Sequence, residues 1–319
     1  MPKNSVIRRK FYYLLRPAVS RRLSSTRRLL NPSVKNIAFV TYHKAPHLTP
    51  DDATALSSLR DAGIAVTPVI WNLPSNDWKA YDAIILRSCW DYHQKLDDFR
   101  GWLDHIAALQ IPLWNPAEIV YWNLHKKYLQ DLAAQGVNIP RTIWLKVGSP
   151  APLQTLLQDY GFAQAVVKPA VSATAWQTWR TSPANAQHDQ TRLDELLRSS
   201  DVMIQEFIPE VTISGEWSLL FLGGEFSHAV VKLPQNGDFR VQSDFGGTCQ
   251  LQSATPELIH QAEEILRKMN QPLLYARVDG VVSNGNFTLM ELELIEPQLF
   301  LGLHPSAPER FAAAIAAIL

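Results

Sequence analysis

The sequence predicts an α/β protein on three observations: strand-like and helix-like segments alternate from Asn36 onward, the composition is that of a globular chain, and no apolar run approaches a membrane span. Hydrophobic residues make up 46% of the 319 and charged residues 19%, which excludes disordered, collagen-like and coiled-coil classes. A chain of this length exceeds what one hydrophobic core fills, so more than one packed unit is expected. Cys89 and Cys249 are too few for a disulfide framework or a four-thiolate zinc site, and the expected setting is reducing and cytoplasmic.

The elements follow in order. Residues 37–42 read as a buried strand, and Thr49-Pro50-Asp51-Asp52 starts a helix over about 51–62 that Gly63 stops. Strands over 64–71 and 82–87, a helix over 95–109 and a short strand over 112–115 complete a nucleotide-fold-like unit, 36–116, with a mostly parallel sheet. A long helix over 117–135 ends at Gly136, and Pro140 opens a new segment. A helix at 152–161 and a strand at 164–169 come next, while 170–190 reads as a loop or weak hairpin. Strands follow at 202–208, 216–222 and 225–232, the last two joined by the hairpin signal Gly223-Gly224. A helix over 256–270, strands at 273–282 and 286–295 around Ser283-Asn284-Gly285, and an Ala-rich helix finish the chain.

The net charge is zero, yet residues 1 to 50 hold eleven of the thirty Lys and Arg and none of the thirty Asp and Glu. Paired arginines such as Arg8-Arg9 and Arg21-Arg22 make residues 1–35 a basic arm, poorly ordered or an amphipathic helix in weak contact with a membrane surface. The body is acidic and carries no basic stripe, so nucleic acid is not an expected partner.

The chemistry concentrates in 277–297. Glu291 and Glu293 fall on one face of a strand, and an antiparallel neighbour can bring Asp279 beside them. Three carboxylates on one face repel unless cations screen them, and such hard oxygen donors suit Mg²⁺ bound to phosphates. Lys126, Lys168, Lys232, Arg240 and Arg277 supply the cations that a polyphosphate requires. No GxxxxGK[ST] loop and no strand-bound GxGxxG is present, so neither a P-loop nor a dinucleotide fingerprint accounts for these charges.

The order Lys126, Lys168, Gln205-Glu206-Phe207-Ile208, Asp279, Glu291-Leu292-Glu293 resembles the ATP-grasp superfamily. Further segments carry a closer resemblance, to a group of cycloserine-forming O-ureido-serine cyclo-ligases and their relatives, similar in fold to glutathione synthetase. These are Arg87-Ser88-Cys89-Trp90-Asp91-Tyr92, Asn115-Pro116, Lys168-Pro169-Ala170-Val171-Ser172 and Glu291 through Pro297. The resemblance implies an N-terminal Rossmann-like unit over 36–116 and a two-lobed ATP-grasp domain over 117–319, its small lobe about 140–205 and its large lobe about 206–319. It also implies ATP and Mg²⁺ as cofactors. Lys126 and Lys168 would grip the phosphates, Glu206, Phe207 and Ile208 the adenine, and Glu216 the nucleotide, while Asp279, Glu291 and Glu293 would hold the metal. Relatives place glycine near Thr174, where this chain departs from the pattern.

The reaction so implied is ATP-dependent ligation, or cyclisation, of a small amino-acid-like carboxylate to an amine through an acylphosphate. Arg240 and Arg277 are candidates for the developing phosphate charge. Arg87 and Asp91, at the end of a strand where open α/β sheets bind ligands, are candidates for the substrate. The alternative is an inactive ATP-binding protein of the same fold. Small-molecule carboxylates and amines are the expected partners, and a homodimer is compatible with the reading.

Overall fold

The computed structural model describes residues 34–319, so the expectation of a basic arm lies almost wholly outside the described residues. Three sheets carry the fold. In the first, β1 (Lys35–Thr41), β2 (Ile64–Ile70), β3 (Ala83–Leu86) and β4 (Leu113–Trp114) run parallel in the order β2-β1-β3-β4. The second comprises β5 (Thr142–Leu145), β6 (Ala165–Pro169), β7 (Trp179–Thr181) and β8 (Val202–Glu206), antiparallel in the order β5-β8-β6-β7. The third holds β9 (Glu216–Leu222), β10 (Glu225–Leu233), β11 (Thr248–Leu251), β12 (Tyr275–Ser283) and β13 (Asn286–Glu293), antiparallel in the order β11-β10-β9-β12-β13.

The expected parallel order therefore holds for the first sheet alone. Two-residue connections join only antiparallel strands. Gly223 and Gly224, at φ 62° and 85°, make one such turn, and Asn284 and Gly285, at 52° and 79°, make the other.

Two predicted helices are interrupted. The segment 51–62 forms Pro50–Ala53 and Leu56–Asp61, and 117–135 forms Ala117–Asn123 and Tyr128–Ala134. The second break has a visible cause, because the Lys126 N–H donates to the carbonyl of Ala170 (2.8 Å) at the end of β6 rather than to its own helix. Within 170–190, expected to be loop or weak hairpin, β7 pairs with β6, and a helix follows over Ala186–Leu197. That helix buries only Ala186, Leu193, Leu196 and Leu197, a sparse apolar face that polar residues surround.

The boundary expected at 116 does not separate hydrophobic cores. Phe311 and Ile315 of the C-terminal helix (Ala307–Ala316) share one core with Ile37, Phe39 and Leu59 of the first unit and with Leu220 and Leu222 of β9. Burial of this kind contributes on the order of 1.5–3 kcal/mol per large side chain, which ties the first sheet to the third. No helix among the described residues is long and apolar enough to cross a membrane.

Candidate active site

A cavity of about 680 Å³ is lined by the second sheet, the third sheet and the first unit. Lys126, Lys168, Glu206, Phe207, Ile208, Glu216, Arg240, Arg277, Asp279, Glu291 and Glu293 all line it. The register explains the acidic face. Asp279 on β12 stands opposite Glu291 on β13, and Arg277 opposite Glu293, so period-two alternation turns all four to one side. Asp279 also faces Ser218 on β9, whose hydroxyl donates to it at 2.6 Å.

Each of the three carboxylates has a cation partner. Arg277 donates to both oxygens of Asp279 (3.0 and 3.1 Å), to Glu293, and to the carbonyl of Gln298 at 3.0 Å. Lys232 bridges Glu216 (2.6 Å) and Asp279 (3.0 Å). Lys126, buried at 7% exposure, bonds Glu291 and the carbonyl of Ser172 (3.2 Å). Lys232, expected among the cations for a polyphosphate, is paired with carboxylates here, and its bond to Glu216 follows from its register opposite that residue.

Charge states follow from this pairing. Burial disfavours the charged form of Asp279, but Arg277 and Lys232 outweigh it and hold the carboxyl at about 2. Burial likewise opposes the charge on Glu291, and Lys126 and Lys168 keep its carboxyl below the ordinary value. Glu293 is pushed up to about 8 by burial, with repulsion from Asp279 and Glu291, against the pull of Arg277. Lys126 is raised, because the attraction of Glu291 overcomes its burial. Lys168 differs: burial lowers its ammonium, and among the described residues no carboxylate pairs with it.

The donor chemistry of Asp279, Glu291 and Glu293 fits Mg²⁺, with the pocket cations balancing charge around it. Among the described residues, no three His, Cys, Asp or Glu side chains already stand together as a ligand set. Lysine and arginine groups occupy the carboxylate oxygens instead, so metal binding requires re-pairing.

Glu206 is held bidentately by Arg141, at 2.7 and 2.8 Å, and this contact keeps its carboxyl below the ordinary range. The Ile208 N–H has no hydrogen-bond partner among the described residues. Arg240 pairs with Asp238 (2.7 Å), and its guanidinium stacks 3.6 Å from the centre of the Phe245 ring. Beyond Lys168, Thr174 and Ala175 adopt φ of 52°, and Gln177 of 50°. The left-handed region costs a non-glycine residue roughly 1–2 kcal/mol. Thr174→Gly should therefore raise stability by about 0.5–1 kcal/mol, after allowing for the backbone entropy that glycine loses on folding. A lower melting temperature for this variant would show instead that the Thr174 side chain holds the loop.

The placement of Arg87 and Asp91 corrects the expectation that they meet substrate, since neither lines the cavity. Arg87 is 1% exposed, pairs with Asp52 at 2.7 Å and sits beneath the rings of Tyr275 and Phe311. Asp91 accepts from the indole of Trp71 (2.8 Å) and pairs with Lys95 at 3.1 Å. The partners of Asp91 lie within the first unit, whereas Arg87 also fixes the segment after β13 by donating to the Pro297 carbonyl (3.0 Å). Asn115 does the same from the other side, donating to the carbonyls of Tyr275 (2.9 Å) and Leu294 (2.8 Å).

Known proteins resemble this chain along most of its length. Residues 37–115 match the family described as the N-terminal domain of D-cycloserine synthetase DcsG, and residues 155–298 match the ATP-grasp domain of prokaryotic glutathione synthetase. The cycloserine biosynthesis protein DcsG of Streptomyces lavendulae is 29% identical over 297 residues, covering 88% of this chain and 97% of that protein. The crystal structure of D-cycloserine synthetase DcsG superposes with a TM-score of 0.78 at 28% identity, over 89% of this chain and 99% of that one. D-alanine–D-alanine ligase of Bacillus anthracis shares the fold, with a TM-score of 0.64 at 15% identity over 89% and 98% of the two chains.

Proposed function

We propose that this chain, an ATP-grasp ligase forming a carbon–nitrogen bond with ATP and Mg²⁺, activates the carboxylate of a small amino-acid-like substrate as an acylphosphate. The observation that carries the reading is Lys168, a half-buried lysine on the wall of the cavity that holds the acidic face, whose ammonium bonds no carboxylate among the described residues and is lowered by desolvation despite the more distant attraction of Glu291 and Glu216. A partly desolvated cation without a bonded partner is costly unless a ligand anion meets it.

In this reading Lys168 holds the nucleotide phosphates. Lys126 exchanges Glu291 for a phosphate oxygen, which releases that carboxylate. Asp279, Glu291 and Glu293 would hold Mg²⁺, which supplies neutralising charge to the phosphate oxygens. Glu206, Phe207 and the unpartnered N–H of Ile208 serve the adenine edge, and Glu216 serves the nucleotide. Arg240, whose Nε and Nη2 now bond Asp238, would exchange that carboxylate for the transferred phosphoryl group, which its planar pair of donors also fits. Arg277, bonded to Asp279 and Glu293, fixes their orientation and adds positive charge where phosphate oxygens gather.

The γ-phosphorus moves from ATP to the carboxylate oxygen, an amine attacks the activated carbonyl carbon, and phosphate leaves as the C–N bond forms. Positioning and electrostatics suffice for such a transfer. The test is phosphate release from ATP in the presence of Mg²⁺, screened against amino acids in both enantiomers, O-ureido-serine and small carboxylates. Release that depends on both Mg²⁺ and one carboxylate class is expected. Background hydrolysis with every compound would refute the reading.

A further inference from the structure

Three acidic groups that line the cavity, Asp51, Asp244 and Glu296, take no part in the pairing described above, and Glu296 is the one that stands on the segment after the metal-site strand. Glu296 is 8% exposed and lines the cavity, and no side chain among the described residues bonds its carboxylate. Its segment is held with unusual completeness, for six consecutive carbonyls from Leu294 to Leu299 each meet a side-chain nitrogen or hydroxyl. Leu294 accepts from Asn115 (2.8 Å), Ile295 from the Tyr275 hydroxyl (2.9 Å) and Glu296 from the Trp90 indole (3.0 Å). Pro297 accepts from Arg87 (3.0 Å) and Gln298 from Arg277 (3.0 Å), while Leu299 lies 3.1 Å from the His228 ring nitrogen. Arg87 and Trp90 thus act on the cavity through backbone they immobilise.

A segment fixed at every carbonyl presents its side chains in one orientation, and that is the condition for a preformed recognition group. The Glu296 carboxylate is the group so presented. Leaving a buried carboxylate without a cation costs stability, and burial pushes this carboxyl up to about 7 despite the attraction of Lys126 and Arg277. A cation arriving with the substrate offsets that cost. The same cavity is also lined by Pro50, Asp51, Thr54, Phe300 and Leu303, and among the described residues no three His, Cys, Asp or Glu side chains there form a second metal ligand set.

We infer that Glu296 receives the ammonium group of an amino-acid substrate whose carboxylate is activated in the same cavity. The inference rests on the ligase reading above and assigns to Glu296 the recognition of the ammonium group of its amino-acid-like substrate.

Calorimetric titration with Mg²⁺ and a non-hydrolysable ATP analogue present tests it. The probes are two matched pairs, alanine with propionate and serine with 3-hydroxypropionate, the amino acids in both enantiomers. Wild-type protein should bind one amino acid on the order of tenfold or more tightly than its deamino partner, as expected for a charge-assisted contact. Glu296→Gln, uncharged and of the same shape, should remove that preference while nucleotide affinity stays as in the wild type. Glu296→Asp should restore part of it. An undiminished preference in Glu296→Gln, or a wild type that binds the nucleotide yet ignores the ammonium in every pair, would overturn the inference and leave the ligase reading standing. A wild type that does not bind the Mg-nucleotide at all would overturn both.

Discussion

Replacing Lys168 with Met should weaken binding of a non-hydrolysable ATP analogue by roughly ten- to a hundredfold, the loss of about 1.5–3 kcal/mol that a charge-assisted contact to a partly desolvated phosphate represents. The unliganded protein should lose no stability. These two outcomes separate because of where Lys168 sits: half-buried on the cavity wall, its ammonium is desolvated enough that its pKa falls, and it bonds no carboxylate among the described residues. Methionine keeps the stem packed and removes only a charge that the folded protein carries at a cost. A solvent-facing lysine would give equal affinities, and calorimetric titration beside a thermal melt reads both quantities. Loss of stability together with unchanged affinity would place Lys168 outside the phosphate site.

Glu291→Gln should lower turnover by about 10²–10³-fold, the scale seen when one preorganised electrostatic contact to a developing charge is removed. It should also destabilise the unliganded protein, because Lys126 then keeps only the Ser172 carbonyl as partner for a buried ammonium. Half-burial of Glu291 keeps that cost to roughly 1–3 kcal/mol, below the value for a fully buried pair. Glu293→Gln should cost similar turnover with less stability, since its partner Arg277 retains both oxygens of Asp279. The comparison is informative because a purely structural acidic face would cost stability in both variants and turnover in neither. Full phosphate release by either variant would remove that residue from the metal site.

The hairpin that carries the acids was legible as a hairpin because its turn is local: Asn284-Gly285 sets the pairing as far as Gly280 against Leu289. A bulge at Met290 then shifts the register by one, so that Asp279 meets Glu291, and this step, which also lets Val278, Val281, Leu289 and Leu292 all be buried, has no signal in the alternation of the sequence. Lys126 was legible as a residue type, but the helix break that aims it depends on Ala170, 44 positions along the chain. Arg87 reads as a ligand group at the end of a parallel strand. Its burial comes from Asp52 and from a C-terminal helix that local pattern cannot bring to it. Glu296 stands in a quoted run of acids, and only the folded chain shows that it is the one left without a cation.

Transfer of a carboxylate oxygen to phosphate is the step on which the account depends. Incubating the enzyme with Mg²⁺, ATP and an active substrate labelled with ¹⁸O in its carboxylate, then weighing the released phosphate by mass spectrometry, reads that step directly. One ¹⁸O atom per phosphate is the expected result, because the oxygen that accepts the γ-phosphoryl group leaves with it when the amine attacks. Unlabelled phosphate accompanying product, or AMP and pyrophosphate in place of ADP, would contradict activation of the carboxylate as an acylphosphate.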